Sequence, residues 1–230
     1  MKFKKEKIKL EKINFFGHYS LEAFYEGEVE DDQLHGKGKL TYEKSKEHKF
    51  QIIFEGTFKE GRPIKGKLQE WDGSIYEGEF KQLSEYGHGK ITYKDGLEYF
   101  GSWQYGERMG EGSMIFSNGV EFNGHWHDDY PSEGQMIFPD RTRFNGVFNQ
   151  LSFDFEDGVI TYPDGSKFEG WCIDDEKRDK FKGTMTYPNG DVIVGTLHIA
   201  TVIKHNKHYE TFSYYEAIPS SKDKFVPILK

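Results

Sequence analysis

Aromatic and polar positions along this chain alternate two by two inside a longer period. An aromatic–x–glycine triplet recurs at Tyr25-Glu26-Gly27, Phe54-Glu55-Gly56, Tyr76-Glu77-Gly78, Tyr99-Phe100-Gly101, Phe122-Asn123-Gly124, Phe144-Asn145-Gly146 and Phe168-Glu169-Gly170, and fades at Ile193-Val194-Gly195. The first positions lie 29, 22, 23, 23, 22, 24 and 25 residues apart, and glycine holds the third position every time. A fixed period of this length marks a repeat architecture. Side chains two or four apart share one face of a strand. In Tyr76-x-Gly78-x-Phe80 two rings therefore share a face with a missing side chain between them, and the same holds for Tyr99/Trp103, Phe122/Trp126 and Phe144/Phe148.

A second half follows in most units. Gly36-x-Gly38, Gly87-x-Gly89 and Gly110-x-Gly112 open it, while Gly66, Gly134, Gly158 and Gly183 stand alone. An apolar–x–aromatic step comes next, as in Leu40/Tyr42, Ile91/Tyr93 and Met114/Phe116, and then Asp72-Gly73, Asp95-Gly96, Asn118-Gly119, Asp164-Gly165 or Asn189-Gly190. Asp-Gly and Asn-Gly supply the positive φ values of tight hairpin turns. Each unit reads as two short strands, and successive units as one antiparallel meander.

The stretch Tyr99–Gly119, YFGSWQYGERMGEGSMIFSNG, resembles the MORN (membrane occupation and recognition nexus) repeat, and the resemblance extends over about residues 25–195. It implies an all-β fold: an elongated, single-layer antiparallel meander of tandem MORN β-hairpin repeats. About sixteen strands would make a sheet on the order of 75 Å long. It also implies a binding scaffold of the kind found in ciliary radial spokes, cytoskeletal complexes and membrane junctions. On this reading residues 1–22 are a basic arm or capping strand, 23–199 an array of about eight units, and 200–230 a C-terminal tail. The departures from the pattern are a long turn over 43–50, an extra residue before Trp71 that suggests a bulge, Asp140-Arg141 where glycine is expected, Pro131, the stretch 149–155, and an acidic loop over 174–179. Irregular loops on a regular array are natural partner contacts.

Composition agrees with strands. Aromatics make up 17% of the chain and Gly numbers 26. Alanine occurs only at 23, 200 and 217. The net charge of −8 is unevenly spread: residues 1–12 hold six Lys against two Glu, and 204–230 five Lys against three acids, which leaves 13–203 at −14. An acidic body is a poor match for nucleic acid, whose phosphates need Lys and Arg, and for an anionic membrane surface. The lone Cys172 excludes an internal disulfide framework and a cysteine-based zinc site. It suggests a reducing, cytoplasmic setting, and no apolar run approaches the roughly 18 residues of a membrane span.

One strand face carries a row of rings: Tyr76, Phe80, Tyr99, Trp103, Phe122, Trp126, Phe144, Phe148 and Phe168. Such a row exceeds the apolar patch a soluble monomer usually exposes, and aromatic rings anchor interfaces. The expectation is a groove that holds a helix or extended segment of a partner protein in a cytoskeletal or ciliary (axonemal) complex. Trp103 and Trp126 are then expected to matter for capture and not for folding. A homodimer is a second use of such a surface, and a membrane tether that binds acidic phospholipids is the alternative function. No catalytic residue, metal or cofactor is expected. His125 and His127 share a face opposite Trp126 but lack a spaced third ligand, and Asp174-Asp175-Glu176 lacks the calcium-loop spacing. Cys172 stands where other units place a groove-facing ring and is expected to be a small core residue. The Gly-x-Gly pairs open strands and not helices, which removes a dinucleotide loop.

Overall fold

A computed structural model describes residues 4–10, 22–43, 50–149, 154–173, 180–198, 201–206, 209–214, 218–219 and 226–227. The irregular loops at 44–49, 150–153 and 174–179 and the arm at 11–21 lie outside the described residues. The described residues are strands and turns, with no helix. The chain divides into two units, 1–109 and 110–230.

In the first unit, β1 (Lys4–Leu10), β2 (Ala23–Glu30), β3 (Gln33–Tyr42), β4 (Ile53–Lys59), β5 (Arg62–Gln69), β6 (Ile75–Lys81), β7 (Ser84–Thr92) and β8 (Glu98–Gln104) pair antiparallel, each with the next. The division falls within β9 (Glu107–Ile115). In the second unit, β9 leads into β10 (Glu121–His127), β11 (Tyr130–Ile137), β12 (Arg143–Phe148), β13 (Phe155–Thr161), β14 (Lys167–Cys172), β15 (Lys180–Thr186) and β16 (Val192–His198) in the same manner. The backbone of the tail forms a hairpin of β17 (Thr201–Asn206) with β18 (Tyr209–Tyr214). Two short strands, β19 (Ile218–Pro219) and β20 (Val226–Pro227), pair with β16.

Register is set by glycine. Gly27, Gly38, Gly56, Gly66, Gly78, Gly89 and Gly101 face one another strand to strand across β2–β8. Gly112, Gly124, Gly134, Gly146, Gly158, Gly170, Gly183 and Gly195 do the same across β9–β16. The ring two residues before each first-strand glycine folds down over this trough, so the glycines are there for close approach and not for backbone freedom.

Two kinds of turn alternate. Within a unit, strands meet through two-residue turns at Asp31-Asp32, Glu60-Gly61, Gln82-Leu83, Tyr105-Gly106 and Asp128-Asp129, both residues at positive φ. That is the type I′ hairpin signature, whose twist matches paired strands. Between units the turn is wider. Gly96 N–H donates to the Tyr93 carbonyl and Tyr93 N–H to the Leu97 carbonyl. Asp95 has a negative φ and instead accepts the Leu97 N–H on its side chain at 3.1 Å. Asp72, Asn118, Asp140, Asp164 and Asn189 make the same bond to the residue two further on. In these turns the aspartate or asparagine braces the loop, and the residue after it, glycine in every one but the Asp140 turn, takes the left-handed position. The bulge expected before Trp71 lies instead at Ile64: Thr57 faces Lys65 while Phe58 faces Pro63, and the pairing on either side of Trp71 is unshifted.

Arg141 stands in that left-handed position at φ 74°, donating its N–H to the Phe138 carbonyl at 2.8 Å as Gly119 does to Phe116. A side chain there costs about 1 kcal/mol. Arg141→Gly is therefore expected to raise stability by about 0.5–1 kcal/mol in chemical denaturation; a loss of stability would contradict this account of the turn.

Candidate functional site

The ring row is the core of each unit. None of Tyr76, Phe80, Tyr99, Trp103, Phe122, Trp126, Phe144, Phe148 and Phe168 is more than 6% exposed. In the first unit the rings form an unbroken edge-to-face chain. Tyr25 meets Phe58, Phe58 meets Phe54, Phe54 meets Phe80, Phe80 meets Tyr76, Tyr76 meets Trp103, and Trp103 meets Tyr99, with centroids 5.0–5.3 Å apart. In the second unit Trp126, Phe122, Phe148 and Phe144 continue the same pattern at 5.1–5.2 Å. Edge-to-face pairs at this spacing are the favoured aromatic geometry.

Phe54, Tyr76 and Phe122 thus each meet the second-position ring of their own repeat and that of the repeat that follows. This corrects the expectation of an open groove. The nine rings are buried, all but Phe168 in contact with other rings of the row, with Phe54 or with Phe155, and a partner segment would meet almost none of their surface. Trp103 and Trp126 also donate their indole N–H to the Gly89 and Gly112 carbonyls at 3.1 and 3.2 Å. Those bonds tie each indole to a neighbouring strand, so truncating either residue removes a core contact.

The tyrosines are tied down as well. Tyr25, Tyr76 and Tyr99 donate their hydroxyls to the carbonyls of Glu28, Glu79 and Ser102 at 2.8, 3.0 and 3.0 Å. Burial, together with the nearby Glu28 carboxylate, pushes Tyr25 up to about 12. Burial and the charges of Glu85 and Glu79 push Tyr76 up as well. The folded state thus holds these protons more tightly than the unfolded chain. The stability this gives is full below pH 10 and is lost as pH rises through about 12. Absorbance at 295 nm is expected to show a late ionisation step that coincides with loss of the strand circular dichroism signal. In Tyr25→Phe/Tyr76→Phe that step should vanish; a step that persists would place the late tyrosines elsewhere.

Phe155 was not singled out as a site residue by sequence reasoning. Cys172 stands four residues after Phe168, where Phe58, Phe80, Trp103, Trp126 and Phe148 stand in their units, and it is partly exposed. It is therefore not the buried core residue expected from sequence. A ring at 172 would pack on Phe144, as Phe148 packs on Phe122. Phe155 does so instead, stacked on Phe144 at 3.9 Å and 15°. The signal was present in the sequence as the displaced aromatics Phe153 and Phe155 beside a unit lacking its second ring.

The remaining candidates lie on the opposite, outward face. His125 is about half exposed, with Glu111 and Glu133 on the flanking strands each 3.9 Å from it, and His127 lies 3.3 Å from Asp128. Trp126 between them points into the core. Among the described residues no three metal-ligating side chains converge. The acidic cluster 174–176 lies outside the described residues.

The hairpin geometry, the glycine trough and the ring pairs define a class of β-repeat protein. A family model for the MORN repeat matches residues 25–45, 99–121 and 182–192. The chain thus carries matches to the MORN repeat at three places, and MORN repeats generally serve as protein- or membrane-binding modules. No curated protein matches the chain.

Proposed function

We propose that this chain is a non-enzymatic, cytoplasmic scaffold that holds a partner protein, as a structural subunit of a cytoskeletal or ciliary assembly. The observation that carries the binding role is the outward face of the second unit. Across β9–β13 the row in register there is Ser113, Asn123, Gln135, Asn145 and Val159, without a charge. On the same face Ile115, Val147, Trp171 and Val194 are 40–50% exposed. An uncharged row flanked by exposed apolar side chains, with Glu111, Glu121, Glu133, Arg143, Asp157, Glu169 and Lys182 around it on the same face, has the composition of an interface core inside a polar rim. The partner's contact lies on this face and not on the closed ring row. The acidic body supports a protein partner over a phospholipid surface, and the assembly type rests on the kinds of complex in which such arrays occur.

Affinity purification of the full chain from its native cells, with quantitative mass spectrometry, tests this reading against Trp171→Ala/Val147→Ala. Both side chains are exposed, so the variant should melt as the parent does. Specific loss of one set of cytoskeletal or axonemal proteins is the expected result. An unchanged set of co-purifying proteins, or flotation of the chain with acidic liposomes in place of protein capture, would overturn it.

A further inference from the structure

The outward face of the first unit has a different chemistry. One row there runs Glu26, Lys39, Glu55, Lys67, Glu77, Lys90 across β2–β7, each residue in direct register with the next. The sign of charge alternates at every strand, and all six side chains are exposed. Opposite charges on neighbouring strands steady a sheet, but that does not account for the ladder. The second unit pairs its strands equally well with Ser113, Asn123, Gln135 and Asn145 in the same row.

We propose that this face of residues 1–109 binds the same face of a second copy of the chain, in a symmetric, salt-sensitive dimer held by the Glu/Lys ladder. A row that alternates in sign is complementary to itself. A two-fold axis parallel to the strands and midway between β4 and β5 exchanges acid for base along its whole length. It sets Glu55 of one copy on Lys67 of the other, Lys39 on Glu77, and Glu26 on Lys90. Symmetry then forms each of these three pairs twice, as any self-complementary two-fold interface does.

The flanking rows obey the same operation. In the rows on either side Lys37 meets Glu79, Thr57 meets Lys65, Ile53 meets Gln69 and Ile75 meets Thr41, with no like charges opposed, and the like pair Lys59 and Arg62 comes only at the hairpin end. Packed sheets lie about 10 Å apart and cross by about 30°, a gap that paired lysine and glutamate side chains span while following the crossing. Single exposed ion pairs are weak, so the dimer depends on the number of pairs acting together. It therefore weakens as the screening length falls from about 30 Å at 0.01 M salt to about 3 Å at 1 M. This face is separate from the Trp171 face, so the two readings stand or fall apart.

Sedimentation velocity of the full chain across a concentration series is the test. The wild type is expected to dimerise at about 0.02 M salt and to dissociate at about 0.5 M. Lys39→Glu/Lys67→Glu/Lys90→Glu should associate with itself at least tenfold more weakly. An equimolar mixture of it with Glu26→Lys/Glu55→Lys/Glu77→Lys should recover a heterodimer, and circular dichroism melts report that each variant is folded. If either reversal fails to fold, Lys39→Gln/Lys67→Gln/Lys90→Gln replaces the lysine set and is expected to lose self-association. A wild type that stays monomeric at low salt overturns the proposal. So do a dimer indifferent to salt, a lysine variant that dimerises as the parent does, and folded reversal variants that fail to associate when mixed.

Discussion

Gly78→Ala is expected to lower stability by about 3 kcal/mol, a fall in melting temperature of roughly 6–12 °C for a chain of this size. Gly78 lies in the trough where β6 meets β7, facing Gly89. A Cβ there would sit 2.6 Å from Cζ of Tyr76 and 2.7 Å from the Gly89 Cα. Both neighbours are immobile. The ring is clamped between Phe80 and Trp103, and the Cα belongs to a strand paired on both sides. Trimming Tyr76 in the same molecule should not restore stability, because the backbone contact remains. Gly96→Ala separates this cause from backbone strain. Gly96 has φ +90° with nothing within 4 Å of its added Cβ, so its loss should stay near 1 kcal/mol. Denaturant melts of the three variants with hydrogen exchange at β6–β8 make the comparison. A Gly78→Ala protein that melts with Gly96→Ala would mean that the trough is looser than its ring contacts imply.

The glycine trough was the most legible feature of the sequence. One glycine per strand at a constant offset from a ring can align only in register, so the hairpin meander followed from spacing alone. The ring row was legible as a shared face and misjudged as a surface. Period-two alternation tells which side chains point together. It does not tell whether the second-position ring of one unit reaches back to the first-position ring of the unit before it, and that reach is what closes the row. The turns within the repeats were hidden because Asp31-Asp32, Gln82-Leu83 and Asp128-Asp129 reach positive φ without glycine, held there by the strands on either side. The Glu/Lys ladder stood in plain view as Glu at the second position of the triplet and Lys directly after the in-register glycine of the second strand, at 39, 67 and 90. Its meaning needed the register that brings Glu26, Lys39 and Glu55 side by side.

The second large effect is expected at Phe155, where the array repairs its own defect. The unit that starts at Phe168 offers Cys172 in place of a second ring, and Phe155 covers Phe144 from the neighbouring strand instead. Phe155 is buried against Phe148 and Phe138 as well, at 5.6 and 6.4 Å. Phe155→Ala should therefore cost about 3–5 kcal/mol, the range for removing a core ring that leaves a cavity. Cys172→Phe alone should also destabilise, by about 1–3 kcal/mol, because its ring would enter space that Phe155 fills. Combined, the two substitutions relieve each other: the ring at 172 takes the place over Phe144 that the repeat pattern assigns to it. The double variant is expected to be at least about 2 kcal/mol more stable than the sum of the single losses, within the range of coupling seen for residues in contact. Simple additivity of the two losses in urea melts would show that Phe155 and Cys172 do not compete for one site. Recovery in the double variant, with Phe144 restored to the packing of Phe122 and Phe54, would show that the missing ring and the extra ring are one compensated change.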